Sequence, residues 1–254
     1  MVTKIDDVTT TENEWRDLVA ALPASIDDLS KAIADTLRRD GYLHLNCPMS
    51  MENYDLIVSR LGTVVLRSDV KIDRAKEQNQ EKFRSRRGRG GIYGSGRFEL
   101  HTDTTENLVS WYCVEQDDSG TPMILLEVND LEDRFSPGEL DLLSKVEVTQ
   151  PVRKSEFEHE TFKFVPLLFK QNGKYRIFFY APWLMRDSYD SDTTQVLERF
   201  DHYLKHKEET QLITVPFKKH DSIFIDNHRI LHGRGELPPS SKQRHLVRLI
   251  LHAA

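Results

Sequence analysis

The chain has 254 residues, a formal net charge of −6 and a hydrophobic fraction of 38%, which suffices for one large domain with a buried core. The negative charge argues against a general nucleic-acid binder, and no apolar run approaches the roughly 20 residues that span a bilayer. Residues 1–24 lack the apolar core and cleavage site of a signal peptide and are expected to form an N-terminal extension. Cys47 and Cys113 give neither a disulfide framework nor a Cys-x-x-Cys zinc motif, so the expected location is a reducing cytoplasm.

Two helices with a strand between them are predicted at the front of the chain. The span from Ser25 to Arg39 has apolar residues at helical spacing, with Ser25 as a cap and Gly41 just beyond its end. A strand is predicted at residues 42–45, and a second helix from Met51 to Leu61.

Residues 67–97 form a strongly basic stretch, with ten Lys or Arg against four Asp or Glu. The simplest interpretation is a solvated loop. The functional alternative is a cationic lid that meets an anionic substrate group, because the stretch runs directly into the motif at His101. Five glycines between residues 88 and 96 favour mobility, and both interpretations of this basic, glycine-rich loop or lid stay open.

Most segments after residue 98 are predicted to be short strands. They are Ser110–Val114, Met123–Val128, Val146–Thr149, Tyr175–Tyr180, Leu212–Val215, Ser222–Ile225 and Leu246–Leu251. One helix, Thr193 to Lys207, interrupts them. With no internal repeat and no Pro- or Ser-rich linker, residues 1–254 are interpreted as a single domain. The predicted fold class is mainly β with flanking helices, in a jelly-roll or barrel-like double sheet.

A His-x-Asp motif at His101 and Asp103 is the first candidate metal site. Residues i and i+2 of a strand point to the same face, so both side chains can reach one ion while Thr102 turns away. Two histidines and one carboxylate form the facial triad that holds Fe(II) and leaves its other positions open. Alone, this motif is a weak signal.

The second half of this constellation follows a predicted buried strand and a polar bend at Asp226 and Asn227. His232 comes next, and Gly233 allows the backbone to pass close to the site. Arg244 and Arg248 follow twelve and sixteen residues after His232 and share one face of a predicted strand. A guanidinium inside a barrel needs a partner, and a dicarboxylate suits its planar fork.

These segments carry a family resemblance. The sequence resembles the TauD/TfdA (clavaminate synthase-like) family of Fe(II)/2-oxoglutarate-dependent oxygenases, whose fold is the double-stranded β-helix, or jelly roll. The resemblance rests on Leu100-His-Thr-Asp-Thr104, on residues 226–234 (Asp-Asn-His-Arg-Ile-Leu-His-Gly-Arg) and on Arg244-His-Leu-Val-Arg248. Weaker similarities lie at residues 39–45, 61–64, 166–168 and 175–180.

The resemblance implies a role for each matching residue. His101, Asp103 and His232 would bind iron, and Arg244 would bind the distal carboxylate of 2-oxoglutarate, with dioxygen as co-substrate. Arg248 corresponds to a second arginine that meets the substrate in some members and steadies the cofactor in others. The family usually offers a threonine from a Gly-Gly-x-Thr segment; Thr121 is the nearest hydroxyl here but is out of the usual register.

The substrate is expected to be a small molecule. Glu106 and Asn107 follow the metal motif and are candidates for the pocket wall, with turn chemistry as the alternative. Tyr180 and Trp183 are candidate aromatic contacts or core residues. Arg97 is a candidate partner for an anionic group. Glu99, Glu106, Arg97 and Arg248 together would suit a zwitterion such as a free amino acid, and a natural-product intermediate is the other possibility.

Three functions are compatible with these residues. The resemblance implies hydroxylation of an unactivated C–H bond, and the presence of Asp103 disfavours halogenation. The same cofactors could support desaturation, cyclisation or epimerisation. A non-redox, cupin-like metal protein is the third, although it has no evident need for the paired arginines. His228, four residues before His232, is an alternative ligand but more simply a structural residue. No nucleic-acid or membrane partner is expected, and no oligomeric state is predicted.

Overall fold

The computed structural model describes residues 26–46, 48–73, 96–116, 121–152, 161–238 and 243–253. The predicted N-terminal extension at residues 1–24 lies outside the described residues, as does most of the predicted basic loop (residues 74–95). Within the described residues, no helix is both long and apolar enough to cross a membrane.

The chain forms runs of strands with helices between them. The first half comprises α1 (Ile26–Asp40), β1 (Tyr42–Leu45), α2 (Met51–Leu61), β2 (Gly62–Asp73), β3 (Phe98–His101), β4 (Leu108–Gln116), β5 (Met123–Glu127), α3 (Leu131–Arg134) and α4 (Pro137–Lys145). The second half comprises β6 (Glu147–Val152), β7 (Thr161–Pro166), β8 (Leu168–Gln171), β9 (Lys174–Ile177), a 3-10 turn (Ala181–Trp183), α5 (Ser191–Gln211), β10 (Ile213–Val215), β11 (Ser222–Asp226), β12 (Ile230–Arg234) and β13 (Gln243–Ala253).

The three predicted helices are confirmed, and local chemistry explains their ends. Gly41, at φ 82°, ends α1, and its amide donates to the Leu37 carbonyl. Ser50 caps α2 by accepting from the amide of Asn53. Asp190 caps α5 in the same way through the amide of Thr193, so α5 begins two residues earlier than predicted.

Two antiparallel sheets form the centre of the protein. One has five strands in the order β1-β11-β4-β13-β2, and the other has four in the order β10-β5-β12-β3. Two hairpins, β6-β7 and β8-β9, complete the pairing among the described residues. The mainly β architecture with flanking helices is therefore confirmed.

Three apolar clusters hold these layers together. Two of these clusters lie on opposite faces of β4. Tyr112 packs under α1 and α2, whereas its neighbour Trp111 points to the other face, toward the four-stranded sheet. On the outer side of the four-stranded sheet, Leu126 and Leu231 pack in one cluster with Phe200 of α5. The space between the two sheets is thus enclosed on both sides.

The predicted basic loop at residues 67–97 begins too early. Residues 67–73 belong to β2, which pairs with β13 from Gly62 opposite Ala253 to Asp73 opposite Gln243. Val70 and Ile72 of β2 are buried between the sheets. Residues 67–73 form a strand despite their basic composition, because β13 pairs with their backbone and alternate side chains are buried. Only residues beyond Asp73 therefore remain candidates for a lid.

Candidate active site

The two predicted histidine ligands lie side by side on neighbouring strands. His101 ends β3, His232 lies in β12, and the two are direct partners in the antiparallel pairing. Their ring centroids are 4.6 Å apart, and both side chains are almost fully buried. The fold therefore brings together two residues that are distant in sequence.

Asp103 completes a compact group of ligand atoms. β3 ends at His101, so Asp103 lies just beyond the strand. Even so, its Oδ1 lies 3.8 Å from Nε2 of His101 and its Oδ2 lies 3.4 Å from Nε2 of His232. One ligand atom from each residue lies within 4.8 Å of the others, and this is the one such group among the described residues. The predicted trio is thus brought to a single point.

The protonation states of this trio favour cation binding. Burial and the neighbouring His101 lower the pKa of His232, which keeps its imidazole neutral near pH 7. Burial alone would raise the pKa of Asp103, but Arg248 and the two imidazoles outweigh it and hold that pKa well below its ordinary value. A neutral imidazole and an ionised carboxylate are donors that suit a divalent metal.

Several polar atoms of the trio are available to a ligand. Oδ2 of Asp103 and both ring nitrogens of His232 are buried without a hydrogen-bond partner in the described part of the protein. Such groups are costly unless something binds them. Nδ1 of His101 donates to the carbonyl of Glu99 at 2.8 Å, which directs Nε2 toward the site. These residues therefore fit a metal ion.

Arg248 contacts the carboxylate of the trio. Its Nη1 donates to Oδ1 of Asp103, and its Nε donates to Oγ of Ser68 at 3.1 Å. The guanidinium also lies 5.5 Å from the ring centre of Trp111. Arg248 is thus fixed from three directions, next to the ligand group.

A pocket extends from the histidines between the two sheets. The space between its walls, including the part open to solvent, is about 370 Å³. Val70, Ile72, Met123 and Leu246 give it apolar walls, and Arg244 lies among the lining residues. The pocket therefore joins a metal-ligand group to a buried cation.

Arg244 has unused hydrogen-bonding capacity. The residue is 3% exposed, and its Nε and Nη2 have no partner among the described residues. Burial, followed by repulsion from Arg234, lowers the pKa of this guanidinium. An anion in the pocket would relieve both effects, so Arg244 marks an anion-binding end.

Sequence reasoning missed Arg234 as a pocket residue. It is 5% exposed, lines the same pocket and donates from Nη2 to the carbonyl of Gly96 at 2.6 Å. Arg234 comes from β12 and Arg244 from β13, so two guanidiniums approach from opposite sheets. The sequence did contain an indication of this position, because Arg234 lies two residues after His232, and residues with that spacing share a face of a strand.

Thr121 lies near this end of the pocket. It is 1% exposed and its hydroxyl has no partner among the described residues. A side chain on Gly235, the residue after Arg234, would contact the methyl group of Thr121. Thr121 therefore lies close in space to Gly235, the residue after Arg234, and its role as a cofactor contact stays a prediction.

Two of the predicted substrate contacts lie beside the metal ligands. Tyr180 forms an isolated β-bridge with His101, and their rings are 5.6 Å apart. Trp183 packs edge-on against Tyr180 at 4.6 Å. Both residues are partly exposed, as a contact for an incoming molecule requires.

The other three substrate candidates are engaged elsewhere. Arg97 forms an ion pair with Glu208 of α5. Glu106 contacts Nδ1 of His252 at 3.1 Å, and Asn107 accepts from the amide of Ala253 at 2.9 Å. None of the three lines the described pocket, and their role in substrate binding stays a prediction.

His228 is separated from the ligand trio. Its Nε2 donates to the carbonyl of Thr105 at 3.0 Å, and its ring packs edge-on against Phe169. It is not part of the ligand group formed by the described residues. The structural interpretation of His228 is therefore the better one.

Comparison with known proteins finds one family that matches most of the chain. The family model described as "Taurine catabolism dioxygenase TauD, TfdA family" matches residues 7–250. A search of curated proteins found no matching sequence.

Three solved structures illustrate the structural similarity. A mutant of the non-heme iron oxygenase OrfP in complex with (3S)-hydroxy-L-Arg has a TM-score of 0.62, 18% identity, and coverage of 94% of this chain and 83% of that chain. Asparagine oxygenase with Fe(II), 2S,3S-3-hydroxyasparagine and succinate has a TM-score of 0.63, 16% identity, and coverage of 94% and 83%. OrfP with Fe and alpha-ketoglutaric acid has a TM-score of 0.60, 18% identity, and coverage of 94% and 84%. At these identities the similarity concerns the fold alone.

Proposed function

Since the chain belongs to the TauD/TfdA family, we propose that His101, Asp103 and His232 hold the iron of its active site. The enzyme is an Fe(II)- and 2-oxoglutarate-dependent oxygenase that hydroxylates a small molecule. The observation that carries the residue assignment is the buried group of ligand atoms, in which His232 and Oδ2 of Asp103 have no other partner among the described residues.

Iron and 2-oxoglutarate, when bound, would supply the redox chemistry, in which dioxygen would oxidise 2-oxoglutarate to succinate and carbon dioxide while a C–H bond of the substrate is hydroxylated. His101, Asp103 and His232 would hold the iron through three ligand atoms, and its other positions would be open to small ligands. Glu99 fixes the ring of His101 through its carbonyl, and the low pKa of His232 keeps its lone pair available.

Arg244 is proposed to bind the distal carboxylate of 2-oxoglutarate. Its unpaired Nε and Nη2 are buried in the pocket that the histidines also line. Arg234 adds a second positive charge to this pocket from the facing sheet. The Thr121 hydroxyl is the proposed third group, since it is buried and unpaired among the described residues. Two guanidiniums suit a carboxylate in a site that excludes water.

Arg248 is proposed to orient the carboxylate ligand. Its bond to Oδ1 of Asp103 leaves Oδ2 as the oxygen available to the ion. Ser68 and Trp111 hold the guanidinium in place. Arg248 would contact the substrate or the cofactor, as the family resemblance implies, from this fixed position.

The proposed substrate is a free amino acid or a related zwitterion. The structures that share this fold include complexes with (3S)-hydroxy-L-Arg and 3-hydroxyasparagine. Tyr180 and Trp183 would form an aromatic wall beside His101. Arg97, Glu106 and Asn107 are retained as secondary candidates, although each has another partner in the structure.

The facing sheets are proposed to be a double-stranded β-helix formed by one domain. Two antiparallel sheets enclose the pocket, with His101 and His232 on the four-stranded sheet and Arg244 and Arg248 on the five-stranded sheet. This arrangement supports the jelly-roll prediction.

Desaturation, cyclisation or epimerisation stays the alternative outcome, because the same ligand set supports each of them. Membership in the dioxygenase family argues against the non-redox, cupin-like hypothesis.

The decisive experiment measures succinate formation from 2-oxoglutarate, with Fe(II) and ascorbate under air, across a panel of amino acids. Product mass separates hydroxylation, which adds one oxygen atom, from desaturation, which removes two hydrogen atoms. Turnover that one amino acid stimulates and that His101→Ala abolishes is the expected result. Full 2-oxoglutarate turnover in His101→Ala would overturn the assignment of the iron ligands.

A further inference from the structure

Asp103 lies beyond the end of β3, so strand pairing does not fix its backbone. β3 ends at His101, and Thr102 is anchored separately, because its amide donates to the Phe179 carbonyl at 2.8 Å and its hydroxyl accepts from the Phe179 amide at 2.9 Å. The segment from Asp103 to Asn107 then crosses to β4, which begins at Leu108. The position of the carboxylate ligand therefore depends on what fixes this five-residue connection.

Asn227 makes the hydrogen bonds that fix this connection. It lies in the turn between β11 and β12 and is fully buried. Its Oδ1 accepts from the Asp103 amide at 3.0 Å, and its Nδ2 donates to the carbonyls of Thr104 at 2.9 Å and Glu106 at 2.8 Å. Its own amide donates to the carbonyl of Asn107 at 2.9 Å. One residue thus bonds the backbone of four of the five connecting residues.

Both donors of the side-chain amide are used. Both N–H groups donate, and the oxygen accepts the amide of the ligand residue itself. A carboxylate of the same shape would accept from Asp103 but would face the carbonyls of Thr104 and Glu106 with no hydrogens to donate. Because the residue is buried, those carbonyls would be left unpaired.

We infer that Asn227 is a positioning residue, which fixes the backbone of Asp103 so that its carboxylate meets His101 and His232 at one point. Arg248 orients the carboxylate itself, whereas Asn227 sets where the residue lies. The turn that carries Asn227 leads directly into β12 and His232, so the same turn ties both halves of the ligand trio together. This inference rests on the proposed iron site.

The test compares Asn227→Asp and Asn227→Ala with Ser110→Ala. Ser110 is also fully buried and bonds Tyr54 and the carbonyl of Ile223, but it does not contact the Asp103 connection. Its loss therefore removes buried hydrogen bonds of similar kind without moving the ligand. Thermal unfolding would establish the folded fraction of each variant before metal is added.

The first readout is Co(II) binding by calorimetry and by the visible absorption of the bound ion, both without 2-oxoglutarate. We expect Co(II) affinity to fall about 10- to 100-fold in both Asn227 variants, with an altered absorption spectrum, and to stay near wild type in Ser110→Ala. Wild-type affinity and spectrum in a folded Asn227→Asp protein would overturn the inference.

A second readout on the wild-type protein covers the case in which the Asn227 variants do not fold. The amide of Asp103 should be protected from hydrogen exchange, and Co(II) should increase that protection. Rapid exchange in the metal-bound protein would refute the positioning role. If wild type binds Co(II) no better than His101→Ala does, the proposed iron site itself fails, which is a distinct outcome.

Discussion

His101 and His232 face each other directly across the pairing of β3 with β12, and their ring centroids lie 4.6 Å apart. This close cross-strand pair is too tight for two charged imidazoles, and burial with the neighbouring His101 accordingly lowers the pKa of His232. With Asp103 beside them, the pair forms a donor group rather than a packing contact.

The first prediction concerns the loss of one member of this trio. His101→Ala, Asp103→Ala and His232→Ala should each weaken anaerobic Fe(II) binding about 100-fold or more, because even residues that only support metal ligands cost 10- to 100-fold. Isothermal calorimetry would measure the affinities. His206→Ala, an exposed histidine of α5, is the matched control and should bind Fe(II) like wild type. Equal affinity in His232→Ala would contradict the assignment.

Much of this site was predictable because its signals are local. The motifs at His101 and Asp103, at His232 and at Arg244 each lie within a short segment, and the family resemblance links them. The structure places His101, His232 and Arg244 around one pocket. The helix Met51–Leu61 was also predicted with its observed bounds, since Ser50 caps it and its apolar residues have helical spacing.

What was missed depends on contacts distant in sequence. β2 is a strand because β13 pairs with it along its whole length, which its basic composition does not indicate. Asn227 resembles an ordinary turn residue until the connection after Asp103 is packed against it. α4 is different: Ser136 and Glu139 form a capping box with Pro137 at the first turn, and this signal was present in the sequence but overlooked.

A second prediction concerns Arg244 and separates two quantities: the stability of the protein without 2-oxoglutarate, and its affinity for 2-oxoglutarate. Arg244→Met should raise the thermal unfolding temperature of the protein without 2-oxoglutarate by a few degrees, because it removes a buried charge that lacks a partner on Nε and Nη2 among the described residues. The same change should weaken 2-oxoglutarate binding about 100-fold, since two charged hydrogen bonds are lost. Thermal unfolding with and without 2-oxoglutarate measures both effects.

Arg229→Met is the control for this arginine substitution. Arg229 bonds Glu127 and the carbonyls of Arg38 and Arg39, so its loss should lower the unfolding temperature while the stabilisation by 2-oxoglutarate is retained. An Arg244→Met protein that 2-oxoglutarate stabilises as strongly as wild type would rule out the proposed anion site.

A third prediction uses a partly buried ion pair, between Asp130 and Lys207, that does not line the pocket. Burial alone would raise the pKa of Asp130, but hydrogen bonds from Lys207 and Tyr203 outweigh it and lower that pKa to about 2 from an ordinary value of 3.8. A carboxyl whose pKa is lower in the folded state stabilises the fold above its unfolded pKa and loses that contribution as pH falls through the folded value. The stabilisation should therefore be complete near pH 7 and decline between about pH 4 and pH 2.

The measurement is urea unfolding of wild type and Asp130→Asn as a function of pH. At pH 7 the variant should be less stable by about 1 to 2 kcal/mol, a value reduced for the partial exposure of the carboxyl. The difference should shrink as the pH approaches 2. A constant difference across this range would show that the charge of Asp130 does not contribute.

The last prediction tests how closely β3 and β12, the strands of the two proposed histidine ligands, must approach each other. A Cβ atom on Gly233 would lie 2.5 Å from the carbonyl oxygen of Phe98, which is backbone of β3 and cannot move independently of His101. Gly233→Ala should therefore push β3 away from β12, separate His101 from His232 and weaken Fe(II) binding at least 10-fold, although no ligand is changed. Gly235→Ala is the matched control, because its new Cβ would meet only ordinary contacts from 3.6 Å outward, and it should bind Fe(II) like wild type. Unchanged affinity in Gly233→Ala would mean that the site tolerates a wider separation of the strands than the close pairing of His101 with His232 implies.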